Sequence, residues 1–239
     1  MKPVPILMYH NIGKPPDGAK LRALYVRSNA FSRQMLLLKL LGYKGLSMTA
    51  AMPYLRGEKS GRVVAITFDD GYLDTFNQAL PILNAFDFSA TCYVVSKRTG
   101  EHNDWDATEL NVKKQLMTSE QVKAWNQAGM EVGAHSRTHP RLSKCSDAEL
   151  QAEIAGSKAD LEALTGAPVT QFCYPYGDLD GRVANAVRNA GYVAATTTQR
   201  GRAVPGDDPM LLRRILVSGS SMMHLFLIKL LTRYEDKRG

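Results

Sequence analysis

The sequence predicts an α/β fold, a mainly parallel sheet whose strands alternate with helices. Three observations carry this. Short apolar, β-branched runs recur along the chain, several of them continuous rather than alternating, as strands covered on both faces require. Segments with helical capping signals lie between them. No internal repeat and no Pro/Gly/Ser-rich linker breaks the alternation, so residues 1–239 are read as a single domain.

The elements follow in order. Pro5–Tyr9 is the first expected strand, and Phe31–Leu41 is a helix, apolar with polar breaks. Val63–Thr67 is the second strand. Asn77–Phe86 is helical, with Pro81 near its start, where the missing N–H is tolerated. Ala90–Val95 is the third strand, followed by a long polar insertion, Thr99–Lys114. Ser119–Gln127 is a helix because Thr118 and Gln121 form a capping-box pair and Gly129 lies just beyond its end. After the strand Met130–Ala134, Ser146 and Glu149 open a helix over Asp147–Leu164 in the same way, and Gly166 stops it. Val169–Tyr174, the helix Gly181–Asn189, Val193–Thr197 and Leu212–Val217 complete the series, with an apolar helix at about 220–234. Seven βα-type units closing on themselves make an incomplete barrel; an open doubly wound sheet is the rival. Periodicity does not choose between them.

Composition excludes several classes. Hydrophobic residues at 44% and charged residues at 22% are ordinary for a globular protein, and 19 Gly with 11 Pro exclude collagen-like and disordered chains. The longest apolar stretches, Met35–Leu38 and Leu225–Ile228, are broken by lysine long before the roughly 18 residues of a membrane span. Three cysteines make no disulfide framework in a chain this long. A net charge of +7 admits an anionic partner. The basic residues are scattered, however, so nucleic acid is not expected. The first residues, Met-Lys-Pro-Val-Pro, lack the features of a signal peptide, and a cytoplasmic location is expected.

In such folds function gathers at the C-terminal ends of the strands. Four special clusters fall there: Tyr9-His10, Thr67-Phe68-Asp69-Asp70-Gly71, His135-Ser136-Arg137-Thr138-His139 and Tyr174-Pro175-Tyr176-Gly177. An Asp-Gly turn is a common structural device, and two histidines four apart are often incidental. Together they say more. Adjacent carboxylates after an apolar strand call for a cation, and one helical turn would bring His135 and His139 to one side. Two histidines and one aspartate make three ligands with a position left open, the pattern of a catalytic metal site. The second aspartate is then free to act as a base.

These residues resemble the polysaccharide deacetylases of the NodB-homology type, carbohydrate esterase family four. That family carries T-F-D-D-G, H-[ST]-x-x-H and R-x-P-Y-G-like segments in this order; here they read TFDDG at 67–71, HSRTH at 135–139 and CYPYG at 173–177. The resemblance runs from the first strand to about Val217. It implies a distorted (β/α)7-type barrel and a hydrolase that removes N-acetyl groups from N-acetylhexosamine units of a glycan or glycolipid. It further implies Asp70, His135 and His139 as ligands of a divalent metal, zinc first, with cobalt or nickel as substitutes. Asp69 would be the general base, and the backbone N–H of Tyr176 would hold the oxyanion. Two departures stand out. Cys173 replaces the arginine that opens the third segment, so charge neutralisation of Asp69 must come from elsewhere or be absent. The family's late L-x-H histidine, its general acid, has only a loose counterpart in His224. His10, on the rim with the other clusters, is favoured as the acid over His224 and His102, because histidine titrates near neutral pH.

Trp105 and Tyr174 are candidate substrate contacts; a Trp that pins its loop to the core is the equal alternative for the first. Lys14, Lys20, Arg22, Arg27, Arg200 and Arg202 admit a phosphate- or lipid-linked sugar, although ordinary solvated charges explain them as well. The apolar tail helix is expected to pack on its own domain or a partner, with a peripheral membrane contact as the minority reading. Rival classes are a carbohydrate-binding protein of the same fold without catalysis, a non-haem iron oxygenase using the same ligand types, and an amide hydrolase for a non-sugar substrate. The βα alternation opposes the oxygenase.

Overall fold

A computed structural model describes residues 3–219 and 223–238. Among these residues ten strands form: β1 (Ile6–Tyr9), β2 (Asn11–Ile12), β3 (Tyr25–Val26), β4 (Lys44–Leu46), β5 (Val63–Phe68), β6 (Thr91–Val94), β7 (Glu131–Ala134), β8 (Gln171–Cys173), β9 (Ala194–Arg200) and β10 (Leu212–Leu216). Seven of them close a parallel barrel. Strand β1 pairs β5 through Leu7↔Ile66 and Tyr9↔Phe68, and it pairs β10 through Leu7↔Ile215; the remaining order is β10-β9-β8-β7-β6-β5. The open-sheet rival is thereby excluded. Strand β4 hangs outside the ring on β5, and β2 pairs β3 beside it as a separate two-residue ladder.

All seven expected strands are present within a few residues of their predicted bounds. The period of two divides their side chains between two cores. Leu7, Tyr9, Val64, Ile66, Phe68 and Val94 face outward against the helices, while Ile6, Val63, Ala65, Tyr93, Cys173, Ala194 and Leu212 fill the barrel. The outer core is aromatic at its centre: Tyr9 stacks on Phe68 at 5.5 Å, with Phe31 and Trp125 edge-on. Offset and edge-on rings of this kind add about 0.5–1.5 kcal/mol per pair beyond their burial. Tyr9 also donates its hydroxyl to Gln34 Oε1 at 2.9 Å, so its buried polar end is satisfied.

Among the described residues eight α-helices flank the barrel: α1 (Ser28–Leu40), α2 (Met48–Leu55), α3 (Leu80–Phe86), α4 (Ala107–Leu110), α5 (Ser119–Gln127), α6 (Asp147–Thr165), α7 (Gly181–Asn189) and α8 (Met223–Leu231). Capping boxes close the N-termini of α5 and α6 as predicted, and Gly166 ends α6 in a left-handed conformation. The expected helix Asn77–Phe86 divides instead into a π-helical turn, Thr75–Ala79, and α3. Helix α2 was not foreseen. Its Met48, Met52 and Leu55 pack with the barrel's interior residues.

The apolar tail forms α8, which packs Phe226 and Leu230 inward and exposes Ile228 and Leu231. Residues 220–222 of its expected range lie outside the described residues. Among the described residues, no helix is long and apolar enough to cross a membrane.

Candidate metal and catalytic site

The strand ends singled out in the sequence meet at one mouth of the barrel. Asp70 follows β5, and His135 and His139 follow β7. Asp70 Oδ1 lies 3.4 Å from Nε2 of His135 and 3.4 Å from Nε2 of His139, and all three residues are buried. These separations are long for hydrogen bonds. They match a different geometry: bonds of about 2.0–2.1 Å in a tetrahedral centre put ligands about 3.3–3.4 Å apart. Burial alone would raise the Asp70 carboxyl, but the two imidazoles outweigh it and hold it well below the carboxylate range. His135 Nδ1 lies 2.7 Å from the carbonyl oxygen of Cys173. Donating there fixes the tautomer that leaves Nε2 free to ligate. The residues therefore fit a divalent ion.

Backbone strain gathers here. Of six described non-glycine residues at positive φ, four are Asp70 (73°), Ser136 (60°), His139 (67°) and Tyr176 (60°). Such conformations cost on the order of 1–3 kcal/mol each and persist where surrounding structure over-determines them. The helical turn expected to align His135 and His139 is absent. Two left-handed residues curl the loop instead, and Ser136 Oγ accepts from the His139 N–H at 3.0 Å. The loop is braced on α6, where Glu153 Oε2 accepts from the N–H groups of Arg137 and Thr138 and Asp160 takes both arms of Arg137.

Asp69 lies beside this triangle, with a carboxylate oxygen within 4.8 Å of a His135 ring nitrogen, but it is held by a different partner. Both its oxygens are held by Arg214 of β10, Nη1 to Oδ1 at 2.6 Å and Nη2 to Oδ2 at 2.7 Å, with the guanidinium wholly buried. Burial favours the neutral acid, but Arg214 outweighs it and keeps Asp69 below its ordinary pKa. The charge missing at position 173 thus arrives from another strand. Cys173 still lies between the partners, its Sγ 3.7 Å from Asp69 Oδ2 and 3.2 Å from Arg214 Nη2. Asp69, His135 and Cys173 also bring donor atoms within 4.8 Å of one another. As a metal set they are the poorer choice, because Arg214 occupies both Asp69 oxygens.

Arg214 escaped the sequence reading. Its neighbour Arg213 looks identical there, yet Arg213 pairs with Asp207 while Arg214 turns inward. The available signal was strand alternation, which puts Arg214 on the same face as Leu212.

His10 reaches the site: its Nε2 is 3.8 Å from Asp69 Oδ2, and its Nδ1 is buried with no hydrogen-bond partner among the described residues. His224 lies on the exposed side of α8, and His102 forms a bridge with Gln115 in the 99–114 segment. Tyr176 sits beside the triangle, its ring edge-on to His139 at 4.5 Å. The hydrogen bonds that close its turn are donated by Gly177 and Asp178, so the Tyr176 N–H stays outside them.

Two expectations are corrected, for Tyr174 and for Arg200 with Arg202, and the place of Trp105 is now defined. Tyr174 cannot contact substrate, because it is fully buried and donates its hydroxyl to the Met210 carbonyl at 3.0 Å. Trp105 reaches the site, where its ring stacks on His139 at 4.6 Å. Arg200 and Arg202 are not a phosphate cradle; they are paired with Glu235 and Asp236.

Fold and site together define a parallel α/β barrel with a histidine–aspartate cluster at metal-ligand spacing beside a separate, ion-paired carboxylate. Residues 56–195 match the family model described as Polysaccharide deacetylase. YxkH of Bacillus subtilis (strain 168), whose name places it among polysaccharide deacetylases, is 31% identical over 90% of this chain and 71% of its own length. Poly-beta-1,6-N-acetyl-D-glucosamine N-deacetylase of Staphylococcus aureus (strain NCTC 8325 / PS 47) is 24% identical over 84% of this chain and 70% of its own. The solved structure of the Streptococcus pyogenes deacetylase PplD in complex with acetate superposes with a TM-score of 0.82 at 27% identity, covering 96% of this chain and 98% of that one. The chain belongs to the polysaccharide deacetylase family.

Proposed function

We propose that this protein is a metal-dependent N-deacetylase that hydrolyses the acetamido group of N-acetylhexosamine units in a glycan. The observation that carries the reading is the division of labour between adjacent aspartates: Asp70 faces two histidines at ligand spacing, while Asp69 is kept ionised by Arg214. A non-catalytic binding protein has no use for an ionised, buried carboxylate held apart from the ligands.

Asp70, His135 and His139 would hold the ion, with zinc suited to the donor set and spacing. A divalent ion there lowers the pKa of a bound water and polarises the amide carbonyl. Asp69 accepts the proton of the attacking water as its oxygen bonds to the acetyl carbon. The Tyr176 N–H, outside the hydrogen bonds of its own turn, would donate to the oxygen that becomes negative. His10 donates a proton to the nitrogen as the C–N bond breaks, and acetate and a free amine leave.

The test is acetate release from a panel of N-acetylhexosamine oligomers, with β-1,6-linked N-acetylglucosamine included because a relative's name specifies it. Release that stops on chelation and returns with Zn²⁺ or Co²⁺ is expected; release that survives thorough metal removal, or no release from any oligomer, overturns the reading. The acid assignment has its own test. His10→Ala is expected to lower kcat about a hundredfold with metal content unchanged, whereas His224→Ala leaves kcat close to wild type. The reverse pattern would move the acid to α8.

A further inference from the structure

The two histidines of the triangle are oriented by different means. His135 has the usual outer contact, Nδ1 against the Cys173 carbonyl oxygen at 2.7 Å. His139 has none: its Nδ1 is buried with no hydrogen-bond partner among the described residues. A ligating imidazole without such a partner has neither tautomer nor ring plane fixed by a hydrogen bond. Aromatic rings surround it instead. Trp105 lies nearly parallel to its face, 4.6 Å between centroids and 21° between planes, and Tyr176 meets it edge-on at 4.5 Å and 73°.

Both rings depend on the 99–114 strap. Asp106, next to Trp105, accepts the Tyr176 hydroxyl at 3.0 Å, and Arg141 covers the same ring at 4.4 Å. The strap is built to hold this position. Asn103 is buried within it, giving Nδ2 to the Val112 carbonyl and taking the Lys114 N–H at 2.6 Å. Its returning limb is stitched to the segment after Asp70, Leu73 N–H to the Gln115 carbonyl at 3.0 Å and Met117 N–H to that of Gly71 at 2.9 Å. Its tip is tied to the 13–27 loop through Lys20 N–H to the Leu110 carbonyl and Asn111 Nδ2 to that of Gly18.

We propose that Trp105 is the positioning residue of His139: ring stacking from the strap replaces the missing outer hydrogen bond, so metal affinity is set partly by an element outside the two ligand-bearing loops. Its packing on His139 also takes one ring face away from any sugar. The inference rests on the triangle being a metal site.

The experiment measures Co²⁺ and Zn²⁺ affinity by competition with a chromophoric chelator, together with the Co²⁺ absorption spectrum. It compares the 239-residue chain with its Trp105→Ala, Trp105→Leu and Trp105→Phe variants, and records each metal-free melting temperature. Outer contacts of metal ligands are typically worth about 10–100-fold in affinity. The Ala and Leu variants are therefore expected to bind at least about tenfold more weakly, with an altered Co²⁺ spectrum, while the Phe variant, which keeps a stacking ring, recovers most of the loss. Leu fills much of the space without a ring, so it serves if the Ala variant does not fold. Unchanged affinity in Ala or Leu overturns the inference. A raised KM with unchanged affinity would make Trp105 a sugar contact instead. Failure of the wild-type protein to bind either metal would overturn the proposed function, and this inference with it.

Discussion

Replacing Asp69 by asparagine is expected to lower kcat by about 10³–10⁴-fold while the protein keeps its metal, the upper part of the range for a lost general base. Asp70→Asn is expected to lose the metal itself. The two residues are adjacent in sequence, yet their environments separate them. Asp70 adopts a φ of 73°, and its Oδ1 lies 3.4 Å from both histidines. Asp69 stays in the barrel with both oxygens on Arg214. Asparagine at 69 keeps one acceptor but removes the charge, leaving a buried guanidinium incompletely paired. Breaking such a pair costs about 3–5 kcal/mol, so the variant should melt lower and be assayed well below its midpoint. Metal analysis alongside single-turnover acetate release separates the two roles. Metal loss in Asp69→Asn with retention in Asp70→Asn would exchange them.

The strands were legible because they are buried on both faces, which writes them as continuous apolar runs such as Val63–Phe68. Their closure into a barrel was legible only through the resemblance carried by the segments at 67–71, 135–139 and 173–177. Helices α5 and α6 were legible through local chemistry, a side chain three residues from its cap. Elements whose cause is tertiary were not. Strand β4 is only Lys44-Gly45-Leu46; it exists because β6 pairs only Thr67 and Phe68 of β5 and so leaves Val63–Ala65 open on that side, and Gly45 is required because a Cβ there would lie 2.6 Å from the Phe88 ring. Helix α2 carries Pro53, which reads as a breaker in sequence. The same division holds at the site. Asp69, Asp70, His135 and His139 announce themselves by motif, but the curl of the 135–139 loop depends on contacts with α6, and the stacking of Trp105 on the packing of a strap. No local pattern encodes either.

Arg214 belongs to this second group, and its removal is the sharper test of how the base is kept ready. In Arg214→Met the pressure on Asp69 reverses sign. In the native protein the guanidinium overrides burial and holds the carboxyl below its ordinary pKa, so the base is ionised well into acid. With the guanidinium gone, burial prevails and raises that pKa. The fraction of ionised Asp69 then falls tenfold for each pH unit below the new value. Burial raises unpaired carboxyls by as much as about 3–5 units above their ordinary value, so the acid limb of the kcat/KM profile is expected to move up past neutrality, with a loss of about 10–10³-fold at pH 6 that shrinks as pH rises. Arg214→Lys should fall between, since one ammonium supplies charge without a two-pronged grip. Unpairing a buried carboxylate also costs stability, so the melting temperature of each variant is read in parallel. A compensating change separates charge from mere packing. Cys173 Sγ lies 3.2 Å from Arg214 Nη2 and 3.7 Å from Asp69 Oδ2, so an arginine entering from β8 reaches the same carboxylate. Cys173→Arg combined with Arg214→Ala is expected to return the acid limb toward its native position and to recover at least about tenfold in kcat/KM at pH 6 over Arg214→Ala alone. An acid limb that stays in place in Arg214→Met, in a folded and metal-loaded protein, would mean that Asp69 is not the group whose ionisation the reaction requires.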